Sequence, residues 1–383
     1  MERKQSLFIS NPWLRYGLYL LLLLPLMIGR DATPANELRY LNIADEALRD
    51  GHFWCFFLDG AVYADKPPLY LWIVMLMRRI FGFHCLPVLE LFSLIPAFLT
   101  LRVLDRTFGK SLQWPFRITA EMSLMTAAWF LGSAIVLRMD MLMTLFLTLA
   151  LETAWKIVRG DCSSRRKWLF GLYLFLAVFS KGPVGLLLPL VGTLVWLAIS
   201  GRFREAGKLW GWRTWVALAV PCLIWWGCAW AEGGQAYMDN LLVHQTVDRA
   251  VNAFHHKRPL WFYLYSIWYA MAPAALICLP TLIWGAFRKI RLNEEERFLL
   301  IVSGAFFVLM SFVSSKLEIY MLPIFGPVIY GSFAVLQSLY ETEGCRRTAN
   351  NLRRIAFWAA CAIFAVVFIA GCFFTETVNN LLG

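Results

Sequence analysis

Eleven apolar runs, most of roughly the 17–25 residues that a helix needs to cross about 30 Å of hydrocarbon, succeed one another from residue 13 to residue 374. They lie near 13–29, 87–104, 115–136, 141–158, 168–180, 184–200, 214–230, 260–287, 298–314, 319–339 and 355–374. With 60% of its 383 residues hydrophobic and 16% charged, the chain holds more apolar side chain than a soluble domain of this size can bury. The predicted fold class is therefore all-α, in a polytopic integral membrane protein. The net charge of +11 suits cytoplasmic loops, and no stretch interleaves basic and aromatic residues away from a membrane flank, so no nucleic acid is expected as a partner. The first run follows Arg3 and Lys4 and lacks a small-residue cleavage site, which reads as an uncleaved first span. The nine cysteines show no CxxC and no metal-ligand spacing; Cys55 and Cys85 could share the outer face, where a pairing is open to them.

Charge sets the threading. A further apolar stretch, 68–82, is short and carries Arg78 and Arg79. If it lies along the outer interface, the basic clusters all fall on one side. These are Arg102 to Arg117, Lys156 to Lys167, Arg202 to Arg213, Arg288 to Arg297 and Arg346 to Arg354. Positive-inside bias makes that side the cytoplasm. The N-terminus is then inside and the C-terminus outside. One membrane domain is expected over 1–383, with outer loops at 30–86 and 231–259 and no C-terminal soluble domain.

The same threading gathers five polar segments on the outer face: 30–86, "LRMD" at 137–140, "SKGP" at 180–183, 231–259 and "SSKLEIY" at 314–320. Within the first, "NELRYLNIADEALRDG" places Leu38, Leu41, Ile43, Ala44, Ala47 and Leu48 on one helical face and ends at Gly51. This predicts an amphipathic helix at the membrane surface.

These segments carry the chemistry. In "YADKPPLYLW" the double proline holds the chain extended and starts a helix without needing its first donors. A lysine there can merely snorkel. The neighbouring carboxylate points further: Lys66 to hold a phosphate, Asp65 to orient it or bind another polar group. Arg138 and Asp140 sit in a nearly continuous apolar stretch, either as a functional site or as a pair tying a helix junction. Asp31 and Glu37 flank the surface helix, where acids also compensate the helix dipole; Glu37, Arg39 and Tyr40 form a compact polar set beside the bilayer. Lys181 in "FSKGPVGLLLP" repeats the lysine–proline device and is expected to begin a new helix at the outer face. His255, His256, Lys257 and Arg258 precede an aromatic stretch, and "SKLEIYMLP" adds Lys316, Glu318 and Tyr320. The two histidines with Asp65 are weak candidate ligands for a divalent metal. No Walker loop, dinucleotide fingerprint or nucleophile elbow occurs. The set fits group transfer from a membrane-bound phosphate donor. A carboxylate takes the acceptor's proton, while cations stabilise charge on the departing phosphate. The alternative is a transporter or flippase of a lipid-linked anion, which calls for charges at the membrane midplane.

The motifs "NELRYLNIADEALRDG", "YADKPPLYLW", "RMD", "SKGPVGLLLP", "HHKRPLWFY" and "SKLEIYMLP", in this order over about residues 30–325, resemble glycosyltransferase family 39. That group includes protein O-mannosyltransferases and bacterial lipid A aminoarabinose transferases. The resemblance implies a GT-C fold and a sugar moved from a polyprenyl phosphate to a lipid, glycan or protein acceptor, on the periplasmic face of a bacterial inner membrane. It implies that Glu37, Arg39 and Tyr40 match the family's "DE-x-R-Y" segment and Lys66 its donor-phosphate lysine. Asp140 would match an outer-face acid, and Lys181, His256, Lys316 and Tyr320 further cavity positions. Asn36 replaces the first acid of that segment. The catalytic base is then open between Glu37, the first choice, Asp31 and Asp140.

Overall fold

The computed structural model describes residues 11–241 and 258–382. Among them are seventeen α-helices. The first, α1 (Pro12–Gly29), is capped by Asn11, whose side chain accepts from the Trp13 N–H at 3.0 Å. A single π turn (Pro34–Leu38) then leads into α2 (Arg39–Asp50), a two-stranded hairpin and α3 (Leu69–Phe81). Next come α4 (Leu86–Thr107), α5 (Trp114–Met125), α6 (Ala128–Ala134), α7 (Asp140–Val158), α8 (Ser164–Lys181) and α9 (Val184–Ile199). After the short α10 (Ala206–Leu209) runs α11 (Trp212–Asp239). The remainder is α12 (Phe262–Ala270), α13 (Ala275–Phe287), α14 (Glu294–Phe312), α15 (Leu322–Glu341), α16 (Arg346–Phe373) and α17 (Thr375–Leu382).

Among the described residues six helical segments are long and apolar enough to cross a membrane: α1, α4, α7, α11, α15 with the turn before it, and α16. Large side chains stand bare on their outer surfaces and on shorter helices, such as Phe287 at 81%, Phe373 at 76% and Val366 at 65% exposure. In water such surface would drive association; in hydrocarbon it is simply solvated. The protein is a multi-pass integral membrane protein. Helix α15 is almost wholly buried and packs on α5, α13, α14 and α16. Around it α7 packs on α4 and α8, α8 on α11, and α1 on α16.

Two of the predicted runs are interrupted. The run 115–136 breaks between α5 and α6, and 260–287 breaks between α12 and α13. The breaks meet: the Ala128 N–H at the start of α6 donates to the Ala272 carbonyl at 2.8 Å. Backbone freed inside a membrane protein must find a partner in the protein, and here each interruption serves the other.

The first outer loop is a small layer of its own. Tyr40, Leu41, Ile43, Ala44 and Ala47 of α2 are buried against Tyr70, Leu71, Val74 and Met75 of α3, and the cluster continues to Leu137, Met139 and Leu142. Gly51 ends α2 at φ 76°, as its position predicts. Leu38 and Leu48, expected on the buried face, are exposed, and Tyr40 is buried instead. The wide π turn ahead of Arg39, closed by the Leu38 N–H on the Thr33 carbonyl, shifts the helical phase, which turns Leu38 outward. The hairpin was not anticipated: Phe57–Leu58 pairs with Ala61–Val62 around Asp59-Gly60, both at positive φ. Asp-Gly is a hairpin signal in its own right, and Glu46 of α2 receives both turn N–H groups, at 2.9 and 3.0 Å. Cys55 and Cys85 are free thiols, with the Cys55 Sγ donating to the Ala229 carbonyl. Helix also continues where a loop was expected from 231: α11 runs to Asp239 through a kink at Gly234, φ 65°. On that extension Glu232 accepts the N–H groups of Phe53, Trp54 and Cys55.

Candidate active site

Asp140 opens α7 with its side chain wholly buried, 0% exposed. A carboxylate in that position must be paired. Its Oδ2 accepts from Arg138 Nε at 3.0 Å, and its Oδ1 is paired with the Lys181 ammonium. Lys181 does not begin the new helix expected from its place before Gly-Pro; it is the last residue of α8, which stops there because Gly182 takes φ 87° and Pro183 follows. The ammonium also lies 4.9 Å from the centre of the Tyr320 ring, a cation–π geometry. Two helix ends and the 314–320 segment thus meet at one charge cluster.

Next to it is a cavity of about 220 Å3. Its polar wall carries Asp65, Lys66, Lys181, Ser315 and Tyr320; its apolar wall carries Val184, Leu187, Trp225, Met310 and Val313, among others. Asp65, Lys66, Lys181 and Tyr320, four of the residues singled out from sequence, are brought together here. Lys316 is not on this wall. It is buried, donates to the Arg258 carbonyl at 3.1 Å and so fastens its segment to the stretch that leads into α12. Tyr263 and Tyr269 add bonds to the Leu317 carbonyl and Glu318. His255, His256 and Lys257 lie outside the described residues. Among the described residues no group of three His, Cys, Asp or Glu side chains gathers as a metal site.

Glu37 stands in a second cluster. It is 1% exposed and every lone-pair direction is used. Arg30 donates to both oxygens, at 2.6 and 2.7 Å; the Thr33 N–H reaches Oε2 at 2.8 Å and the Leu137 N–H reaches Oε1 at 2.6 Å. Burial works against its ionisation, but the Arg30 pair and the two backbone N–H groups outweigh it and hold the carboxyl below its ordinary value. Arg30 is shared with Glu90 at 2.6 Å. Ser93, one turn further along α4, bonds the carbonyls of Val136 and Arg138. Tyr40 contacts Met139 Sδ at 3.8 Å. Arg39 lies over the rings of Tyr40 and Tyr63, the latter two residues before Asp65, and donates to Asn36 at 3.3 Å. The "NELRY" turn therefore grips both the hinge that leads to Asp140 and the strand that leads to Lys66. Asp31 is exposed and off the cavity wall; its backbone N–H donates to Asn379 of α17 at 2.9 Å.

Sequence reasoning passed over Arg30, Glu90 and Ser93. Glu90 carried a signal that was available, an acid inside an apolar run. Trp225 and Met310 carried none, since aromatic and apolar residues in a span are unremarkable until a cavity forms beside them.

No family model matches the chain. It is 26% identical over 389 residues to the undecaprenyl phosphate-alpha-4-amino-4-deoxy-L-arabinose arabinosyl transferase of Enterobacter sp. (strain 638), covering 92% of this chain and 64% of that protein. The chain thus spans under two thirds of the length of this curated relative. Among solved structures it is similar to ArnT from Cupriavidus metallidurans bound to undecaprenyl phosphate. There the TM-score is 0.75 at 17% identity, over 97% of this chain and 77% of that one. The archaeal oligosaccharyltransferase AglB from Archaeoglobus fulgidus, in complex with an inhibitory peptide and a dolichol-phosphate, is more distant. Its TM-score is 0.55 at 13% identity, over 96% of this chain and 56% of that one. The chain shares the fold of these two proteins. The resemblance drawn from six short motifs is met by similarity along nearly the whole chain.

Proposed function

We propose that the protein is a membrane glycosyltransferase. It moves a sugar from a polyprenyl phosphate to a lipid, glycan or protein acceptor at the outer face of a bacterial inner membrane. The observation that carries this reading is the cavity in which Lys66 and Lys181 share walls with Val184, Leu187 and Trp225. Such a lining suits a ligand that is a phosphate joined to hydrocarbon. The similarity to arabinosyl transferases makes 4-amino-4-deoxy-L-arabinose on undecaprenyl phosphate the first donor to test, with lipid A as the first acceptor.

In this reading Lys66 and Lys181 face the phosphate, and Tyr320 backs Lys181. The acceptor oxygen attacks the anomeric carbon, the sugar–phosphate bond breaks, and the electron pair leaves on the phosphate, where the two cations stabilise it. A hydroxyl acceptor must also lose its proton. Asp65 is the carboxylate on the cavity wall, and we assign it that role. Glu37 and Asp140 we assign to positioning, because neither lines the cavity: Arg30 and two N–H groups hold the first in place, and Arg138 and Lys181 the second. Eleven spans with α2 and α3 on the outer face remain the preferred threading. It is supported by α3, which at 13 residues is too short to cross and ends in Arg78 and Arg79.

The test is reconstitution in lipid nanodiscs with the aminoarabinose donor and lipid A, with products read by mass spectrometry. Glycosylated lipid A formed by the native protein and lost in Lys66→Ala is the expected result. Donor carried across a vesicle bilayer with no new glycosidic product would overturn it in favour of the transporter.

A further inference from the structure

A second groove lies at the opposite end of the molecule, between α1, α5 and α16. Its volume is about 610 Å3, and its floor is apolar, with Leu18, Ile118, Met122 and Phe357 on it. Arg15, Arg353 and Arg354 line the same groove. The Arg15 guanidinium is taken up by Glu121, in a buried bidentate pair. Arg353 donates to Asn350 and lies over the Phe116 ring, neither of them an acid, and Arg354 is exposed. Neither arginine is in an ion pair among the described residues. The groove thus joins a hydrocarbon floor to two uncompensated positive charges.

Its place in the membrane follows from the charge pattern alone. Arg353 and Arg354 belong to a basic cluster that the positive-inside bias assigns to the cytoplasmic side. Trp114, at the start of α5, carries Arg15 over its ring at 5.1 Å, as aromatic residues do at the headgroup level. Towards the other end α1 and α16 close on each other, since a Cβ on Gly371 would collide with the Leu26 backbone. Tyr19 stacks on Phe364 at 4.9 Å midway. The groove is the part of this seam that the two helices leave open.

We propose that this groove holds an anionic phospholipid of the cytoplasmic leaflet, with its phosphate between Arg353 and Arg354 and an acyl chain along Leu18, Ile118 and Phe357. Charge complementarity selects the ligand: a zwitterionic headgroup brings its own cation against two arginines, whereas an anionic one does not. Basic pockets between helices on this side of a membrane are suited to such headgroups. The inference rests on the threading and on this groove, and it does not depend on the reaction at the outer face.

The experiment is native mass spectrometry of the full chain released from vesicles of equal phosphatidylglycerol and phosphatidylcholine. The native protein should carry phosphatidylglycerol in preference, and inorganic phosphate at millimolar concentration should not displace it. The double variant Arg353→Gln with Arg354→Gln should carry at least tenfold less. Leu18→Trp, which fills the floor and leaves both arginines, should lose the lipid as well. Equal retention by native and double-variant protein would overturn the proposal. So would phosphatidylcholine held as well as phosphatidylglycerol, or displacement by inorganic phosphate. If the double variant fails to fold, Leu18→Trp decides: phosphatidylglycerol at the native level in that protein overturns the site.

Discussion

Glu37 accepts the Leu137 N–H at 2.6 Å, so a side chain from the first outer loop fixes the backbone three residues before Asp140. A carboxylate engaged in this way is built to hold a hinge. Its lone pairs are committed before any acceptor arrives.

Exchanging the two acids separates holding from chemistry. Asp65→Asn should lower turnover by about 10²–10⁴-fold, the usual loss for a general base, with donor binding retained. Glu37→Gln should instead lower thermal stability and leave the pH profile of the remaining activity unmoved. The reverse pattern, an intact melting temperature with a lost acidic limb in Glu37→Gln, would restore Glu37 as the base.

Acid should loosen the outer layer. The Glu37 carboxyl is held below its ordinary value by Arg30 and two N–H groups against the cost of burial. Asp45 is likewise held down by Arg78 and His84 against its partial burial. A depressed carboxyl contributes stability that is complete above its unfolded pKa, about 4 for these groups. That stability is lost as pH falls through the lower folded value. The opening of α2 that hydrogen exchange reports, once the intrinsic pH dependence of amide exchange is divided out, should therefore be flat from pH 7 to about 5 and rise only below about 4. A rise centred near pH 6.5 would point to a histidine instead.

Asp140 and Lys181 should be strongly coupled. Lys181→Met leaves a wholly buried carboxylate with Arg138 as the ion partner that remains, and removing one member of a buried pair costs about 3–5 kcal/mol. Asp140→Asn combined with Lys181→Met should recover part of that stability without recovering transfer. A double-mutant cycle in nanodiscs reads the coupling directly. Additive losses would mean that the pair contributes little.

Lys66→Ala should weaken the donor without unfolding the protein, because Lys66 is half-buried at the cavity wall. Loss of a bond to a charged phosphate costs about 1.5–3 kcal/mol, roughly 10- to 100-fold in affinity. Titration with undecaprenyl phosphate measures it. Unchanged affinity would leave Lys66 as a snorkelling lysine.

The threading is open to labelling. In a protein stripped of its native cysteines, Arg79→Cys should react with an impermeant reagent from outside and Arg165→Cys from inside, both positions being exposed. Labelling of both from one side would overturn the threading.

What the sequence determined by itself is what depends on local spacing and on water. Run length and the one-sided placement of Arg and Lys set the membrane class and a consistent threading, since each residue's transfer cost is nearly independent of its neighbours. Gly51 stops α2, because a positive φ is a property of a single residue. Tertiary structure decided everything that needs a partner from far along the chain. Whether Glu37 is a base or a clamp depends on Arg30 and on Leu137, 100 residues away. The outward turn of Leu38, the Glu46 grip on the Asp59-Gly60 hairpin and the bond from Ala128 to Ala272 are of the same kind. A buried polar group must find its partner wherever the fold brings one, and no spacing in the sequence records that meeting.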